Sequence, residues 1–405
     1  MKRKLNIAVV SAFWPPARLS GTELFNDITA RLLKKKHKVV VVTSDSVAVR
    51  YIRNIFSNPR IADDEKKDIL RLKHHPGKAF LYYICYIFLS NPLLSPLIPK
   101  IAVDYITQRF YGPQLDTHEL KKILVSHKFD IIYLSSLPYF LNYQITSLVK
   151  QTKMKTRIIM RPNFHALAYQ KNNSFYKNVL NACNSIHVWT RAEKNQVSHE
   201  YLISPTKIKI ISPPIYEKGI VPSVPNLKTM FQGKRIILYA GTKNKEKGVY
   251  RLIAAIQKLK SSNLALVTIG SYDFNWIVYK LFSKHTFLFD LGYVSEKEKE
   301  YLFNICNIFC LPSIADSFCI AAFDAWKNKK PVVLGRTEVS EEIMSKIQGG
   351  VIVDIDNNNE LSRVISSLLS NTQLSNILGI NGYKSMRNYY SKNKNTKKYI
   401  QLFHV

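Results

Sequence analysis

Apolar and polar positions follow one another along this chain in a strand–helix–strand rhythm. Leu5-Asn6-Ile7-Ala8-Val9-Val10 is a short, nearly unbroken apolar run, the pattern of a strand buried on both faces. From Ser20 to Lys36 the spacing turns helical, with Leu24, Ile28, Leu32 and Leu33 on one face. Lys38-Val39-Val40-Val41-Val42-Thr43 is a second buried strand. Strand, helix and strand at this spacing make one βαβ unit and predict a parallel sheet. The pattern returns with a strand at Asp130 to Leu134, a helix over Tyr143 to Lys150 and a strand at Arg157 to Met160. Ser185 to Trp189 and Ile208 to Ile211 read as closing strands.

Ser212-Pro213-Pro214 and the Pro-, Lys- and Gly-rich stretch running to about Lys234 interrupt the rhythm and read as a linker. It then restarts: a strand at Ile236 to Ala240, a helix over Val249 to Leu259, and strands at Leu264 to Gly270, Asn307 to Leu311, Pro331 to Leu334 and Gly350 to Val353. This predicts two doubly wound α/β domains, with ligands bound in the loops beyond the carboxyl ends of the strands. One segment departs from the pattern. Ala79 to Leu89 is continuously apolar, and Leu93 to Val103 is apolar again around Pro96 and Pro99. It reads either as a core helix with a loop or as an element that dips into a membrane interface.

Composition narrows the class. A length of 405 residues suits two domains, and a 46% hydrophobic content excludes a mainly disordered chain. No window offers twenty clean apolar residues for a membrane-spanning helix, and the basic start followed by Leu5 to Trp14 reads as a first strand, not a signal peptide. Five cysteines, odd in number, argue against a disulfide framework and for a reducing compartment. Cys306, Cys310 and Cys319 lack a nearby histidine and read as buried apolar residues, not as zinc ligands. The formal net charge is +31, with 34 basic and 14 acidic side chains in residues 1–218 against 25 and 14 in residues 219–405. Such a field favours anionic partners: a lipid headgroup surface, a nucleic acid or a phosphorylated small molecule. A Lys- and Asn-rich solvated surface is the plainer alternative.

Two loops can carry chemistry. In Tyr239-Ala240-Gly241-Thr242-Lys243-Asn244-Lys245-Glu246-Lys247-Gly248 a strand ends at a glycine, three lysines follow, and a helix starts near Gly248. Backbone N–H groups at a helix start favour anions and lysines add charge, so the loop suits a phosphate, although it is not a Walker sequence. In Leu311 to Trp326 a strand ends and a helix is predicted just after Asp316, with Asp324 eight positions on, roughly 12 Å along the helix axis. Two carboxylates so placed suit a ligand with hydroxyls at both ends and phosphate between. Arg161, in the loop after a strand, is a candidate for an anionic acceptor, whereas His74, His75 and His118 read as surface residues.

These stretches together resemble the donor site of retaining GT-B glycosyltransferases, the large fourth family also described as glycosyl transferases group 1. That family has a glycine–arginine pair, a lysine–glycine pair at a helix start, and E-x7-E. Gly241 and Lys247-Gly248 match in type and spacing, Asp316 and Asp324 stand at the two glutamates, and Asp324 to Val333 follows the stretch between the second glutamate and a proline–valine. Val10 to Pro16 with Ser20-Gly21-Thr22-Glu23 resembles the first strand and glycine-rich acceptor-side loop, and the likeness runs from about Leu5 to Leu369. Thr242 replaces the arginine, both acids are a methylene shorter than glutamate, Cys319 replaces a glycine and Ser20 another.

The resemblance implies a GT-B architecture: two Rossmann-like doubly wound domains facing a central cleft. Residues 1–215 would be the acceptor side, 216–234 the linker, 235–382 the donor-binding domain and 383–405 a terminal helix crossing back. It implies that Lys247 neutralises the donor diphosphate, Asp316 holds sugar hydroxyls and Asp324 the ribose. Gly241, Thr242, Lys243, the Ser317 and Phe318 backbone and Gly21 would also contact the donor, and His165 would reach the sugar or acceptor. It implies transfer from a nucleotide-diphosphate sugar, as co-substrate and without metal or other cofactor, to a glycan or lipid-linked acceptor with retention of configuration. The location expected is the cytoplasm, peripheral on an anionic membrane face. A non-catalytic GT-B-like binding protein is the alternative. A nucleic-acid-binding protein is disfavoured because no compact basic-aromatic module or helix-turn-helix signature occurs.

Overall fold

The computed structural model describes residues 3–15, 21–46, 68–74, 99, 112–137, 139–164, 174–215, 223–390 and 392–404. The apolar segment from Ala79 to Leu89, and most of Leu93 to Val103, lie outside the described residues. The chain divides into two compact units, Met1–Ile211 with Thr396–Val405, and Ser212–Asn395.

The first unit holds a seven-stranded, all-parallel sheet. Its strands are β1 (Asn6–Ser11), β2 (Lys38–Ser44), β3 (Ile69–Leu72), β4 (Ile131–Ser135), β5 (Arg157–Arg161), β6 (Ser185–Val188) and β7 (Ile208–Ile210), in the order β3-β2-β1-β4-β5-β6-β7. Between them run α1 (Gly21–Lys34), α2 (Thr117–His127), α3 (Phe140–Gln151), α4 (Ser174–Ala182) and α5 (Arg191–Tyr201). The unbroken apolar runs have a direct cause. Ala8 and Val10 pack into one core with Val40, Val42, Ile132 and Leu134, while Ile7 and Val9 pack into a second with Val39, Val41, Ile131 and Ile159. Each strand therefore buries both faces. The second core is completed from the other end of the chain by Tyr399, Leu402 and Phe403. The Tyr399 hydroxyl also joins those of Tyr133, at 2.9 Å, and Thr29, at 3.1 Å.

The second unit repeats the design with six parallel strands. These are β8 (Arg235–Ala240), β9 (Leu264–Ile269), β10 (Leu288–Gly292), β11 (Ile308–Leu311), β12 (Val332–Gly335) and β13 (Gly350–Val353), ordered β10-β9-β8-β11-β12-β13. The helices are α6 (Pro225–Met230), α7 (Val249–Gln257), α8 (Phe274–Phe282), α9 (Glu296–Ile305), α10 (Ile320–Lys327), α11 (Glu338–Ile347), α12 (Asn358–Ser370), α13 (Thr372–Tyr390) and α14 (Lys392–Leu402), whose end returns to the first unit. In each sheet the order reverses where a strand is flanked by two crossovers, which makes β1/β4 and β8/β11 the switch points where ligands bind in such sheets. Helix α13 seats against α10 through glycine: a Cβ on Gly382 would fall 2.2 Å from the Trp326 ring.

Two expectations are corrected and two strands are added. The stretch read as linker contains helix α6, started by Pro225, whose fixed φ suits the first helical turn. The helix expected just after Asp316 begins only at Ile320. Cys319, its N-cap, has φ +50, a left-handed conformation that bends the chain before the helix can start. The aspartate pair thus spans a loop and a helix rather than two helical turns. Strands β3 and β10 had not been expected at all.

Candidate donor site

Two loops at the carboxyl ends of β8 and β11 meet beside the switch point of the second unit. Gly248 makes the approach possible. Its φ is +76, and a Cβ there would lie 2.0 Å from the Pro312 carbonyl oxygen, so only glycine fits. The Ile314 N–H donates to the Glu246 carbonyl at 2.9 Å, and the Ser313 hydroxyl donates to the Ala315 carbonyl at 2.9 Å. Asn244 turns the loop by accepting the Lys247 N–H at 2.8 Å.

This geometry brings Lys247 and Asp316 together. The Lys247 ammonium lies 2.6 Å from the Ala315 carbonyl and 3.1 Å from Asp316 Oδ2, with side-chain exposures of 21% and 14%. The ion pair is largely withdrawn from water at the mouth of two strands, where the lower dielectric strengthens its attraction. Gly241 and Thr242 sit at the start of the same loop. The Thr242 carbonyl accepts from the Tyr239 hydroxyl at 2.7 Å, and its hydroxyl lies 2.8 Å from that of Ser271. Ser317 and Phe318 follow Asp316 directly. The Phe318 ring is buried, stacked on Phe323 at 4.8 Å, which leaves the backbone as its polar face.

Asp324 lies on α10, held by Lys327 at 2.9 Å and by Lys299 at 3.8 Å. Burial pushes its carboxyl up, but the two lysines more than offset that and hold it below the usual carboxylate range. It is an anion at neutral pH, able to accept from hydroxyls. Lys299 and Lys327 are charged neighbours of Asp324 that the sequence pattern did not single out. Their helical spacing, Lys327 three residues after Asp324 on the same helix, was the available signal for one of them.

Lys243 is a correction. It was expected among the donor ligands, yet its ammonium is fully buried, 2.7 Å from the Gly270 carbonyl and 3.1 Å from Asp290 Oδ1. A side chain so engaged has no face left for a ligand. Arg161 is corrected likewise. It is buried, donates to Asn26 Oδ1 at 2.7 Å and lies 4.8 Å from the centre of the Trp189 ring, so it braces the first unit's interior instead of meeting an acceptor. Gly21 is the first residue of α1, and His165 lies outside the described residues. Among the described residues no group of three His, Cys, Asp or Glu side chains is placed to hold a metal ion.

Residues 227–385, the stretch that carries Gly241, Lys247, Asp316 and Asp324, match the sequence model of the family Glycosyl transferases group 1. An uncharacterized glycosyltransferase of Methanocaldococcus jannaschii is 25% identical over 177 residues, 42% of this chain and 45% of that protein, so the match spans less than half the relative's length. Among solved structures, HepE of Anabaena in complex with UDP and glucose superposes with a TM-score of 0.73 at 12% identity, covering 99% of each chain. Sucrose-phosphate synthase of Thermosynechococcus elongatus superposes with a TM-score of 0.74 at 14% identity, covering 99% of this chain and 98% of its own. These likenesses establish the two-domain GT-B fold.

Proposed function

We propose that this protein transfers a sugar from a nucleoside diphosphate sugar to a glycan or lipid-linked acceptor, with retention of anomeric configuration. The observation that carries this is the Lys247–Asp316 pair at the meeting of the β8 and β11 loops, inside the stretch that matches the glycosyl transferases group 1 family. In this reading the donor diphosphate takes Lys247 from Asp316 and the Ala315 carbonyl. The ammonium then stabilises the charge that grows on the leaving nucleoside diphosphate, the largest electrostatic demand of the reaction. Asp316, released, accepts from sugar hydroxyls and orients the anomeric carbon. Asp324, kept ionised by Lys299 and Lys327, accepts from the ribose hydroxyls. The backbone N–H groups of Ser317 and Phe318 add donors toward the sugar or phosphate. No step needs a side-chain nucleophile, because the departing phosphate can take the acceptor's proton.

The charge of +31 supports an acceptor held at an anionic membrane face, and the odd set of five cysteines a reducing, cytoplasmic setting. No helix among the described residues is long and apolar enough to cross a membrane. The test is a nucleotide-release screen with UDP-, GDP-, ADP- and TDP-sugars against membrane extract, followed by NMR of the product anomer. Release that depends on both Lys247 and Asp324 supports the reading. A folded protein that binds and cleaves none of these donors refutes it, and an inverted product refutes retention.

A further inference from the structure

Lys243 and Asp290 form an ion pair that none of the chemistry above uses. The Lys243 side chain is fully buried and that of Asp290 is 10% exposed. Asp290 is a hub: besides Lys243 it accepts from the Trp276 indole N–H at 2.9 Å, the Thr268 hydroxyl at 3.1 Å, Lys280 at 3.2 Å and the Gly292 N–H at 3.3 Å. Burial pushes its carboxyl up, yet Lys243 and these donors more than offset this and hold it at about 2. An apolar side chain would fill the place of a buried ammonium with no desolvation penalty. The pair therefore calls for a reason other than packing.

The backbone supplies one. The Lys243 N–H donates to the Ser271 carbonyl at 2.7 Å, and its own carbonyl accepts from Asp273 at 3.4 Å. Gly270, at φ +112, lies so near that a Cβ on it would sit 2.5 Å from the Gly241 carbonyl oxygen. The loop after β8 is thus stitched at Lys243 to the loop after β9 by main chain and ammonium together. Asn244, the next residue, holds the Lys247 N–H. Lys243 and Lys247 are thus linked through one residue and one hydrogen bond.

We propose that Lys243, clamped by Asp290, is a positioning residue that fixes the height of the Gly241–Gly248 loop and thereby sets recognition of the donor's terminal phosphate. It never touches the donor; it acts through Lys247. This rests on the donor-site reading above, and the experiment separates the two. Calorimetric titration measures UDP and UMP binding to the full chain and to Lys243→Met. UDP carries the phosphate that Lys247 would meet, and UMP lacks it. The expected result is a fall of about tenfold or more in UDP affinity with UMP affinity held within about twofold, so that the UDP-to-UMP ratio collapses. A side chain that matters only for stability would lower the melting temperature and leave that ratio unchanged, and that outcome overturns the proposal. Should Lys243→Met fail to fold, Asp290→Asn keeps the shape of the hub and weakens the clamp. Its ratio is expected to fall about threefold, and an unchanged ratio overturns the proposal equally. A wild-type chain that binds neither UDP nor GDP, ADP or TDP instead refutes the donor-site reading, and the positioning role falls with it.

Discussion

Removing Asp290 converts the buried pair into a buried unpaired cation, and the consequence is a pH dependence of the same sign as acid unfolding but displaced to the neutral and alkaline range. In the wild type, burial lowers the proton affinity of Lys243 and the Asp290 carboxylate restores part of it. The Gly270 carbonyl, 2.7 Å from the ammonium, the Tyr272 ring, 5.9 Å from it, the Trp276, Thr268 and Gly292 donors on Asp290, and Lys280, 3.2 Å from Asp290 and half-exposed, also face the pair. In Asp290→Ala burial and Lys280 still disfavour the ammonium, while the carboxylate that offset them is gone and the Gly270 carbonyl and the Tyr272 ring remain on the other side of the balance. The native state then releases the Lys243 proton at a pH well below the ordinary lysine value of 10.5, whereas the unfolded chain keeps it. Where the unfolded state binds one proton more, stability rises with pH at about 1.4 kcal/mol per unit. Breaking a buried pair costs about 4 kcal/mol near neutrality. Between pH 7 and 9 the variant should recover up to about 3 kcal/mol of that loss. In a unit of this size this is a rise of about 5–10 °C in melting temperature relative to the wild type. In the wild type the Asp290 contribution is complete above the ordinary carboxylate pKa and is lost only as pH falls through about 2, and because Asp290 restores part of the Lys243 proton affinity the slope from the lysine begins at higher pH than in the variant. Melting followed by tryptophan fluorescence at pH 7, 8 and 9 reads the effect, since Trp276 donates to Asp290. The double variant Asp290→Ala/Lys243→Met should be flat. Parallel pH profiles for wild type and Asp290→Ala would refute the reasoning.

Lys247→Ala should leave the melting temperature within a few degrees of the wild type and reduce donor cleavage by about 100-fold or more, as expected for loss of the main charge opposite the leaving group; steady-state nucleotide release checks this. Gly248→Ala should destabilise the second unit by about 2 kcal/mol or more, because a Cβ meets the Pro312 carbonyl and the backbone is left-handed, and calorimetry reads the loss. Cys183, Cys306, Cys310 and Cys319 are buried. Burial pushes the Cys183 and Cys306 thiols up to about 12 and raises those of Cys310 and Cys319 as well. None of the four should react with a thiol reagent at pH 8 until denaturant is added, as peptide mass mapping would show.

What pattern reading captured was the interior. Ile7 to Val10, Val39 to Val42, Ile236 to Leu238 and Val332 to Leu334 are strands because nearly every side chain in them is out of water, and that leaves an unmistakable apolar run. Two of the four edge strands leave none. β3 and β10 each border only one neighbour, their residues are mostly half-buried, and Arg71 and Asp290 interrupt their apolar sequence. The start of α10 was misplaced because its N-cap is a cysteine in a left-handed turn, which carries none of the Ser, Thr, Asp or Asn signal of an ordinary cap. Lys247 and Asp316 were each legible through the chemistry of their own loops, and the structure is what joins them as an ion pair. Lys243 was not separable from Lys247, since two lysines in one polar loop differ only in what lies behind them. For Lys243 that is Asp290, an acid set in an apolar run just before Gly292, a local oddity that would have flagged it.

Tyr399, Leu402 and Phe403 finish a core begun by the opening strand. The chain's first unit is therefore the last to be completed as it leaves the ribosome, for its closing helix emerges only after the whole second unit. Until then Ile7, Val9 and Ile159 lack the cover that Tyr399, Leu402 and Phe403 give them in the finished core. A truncation at Thr396 should accordingly strip the opposite end of the sequence of its cover, and damage the part of the molecule made earliest more than the part it adjoins.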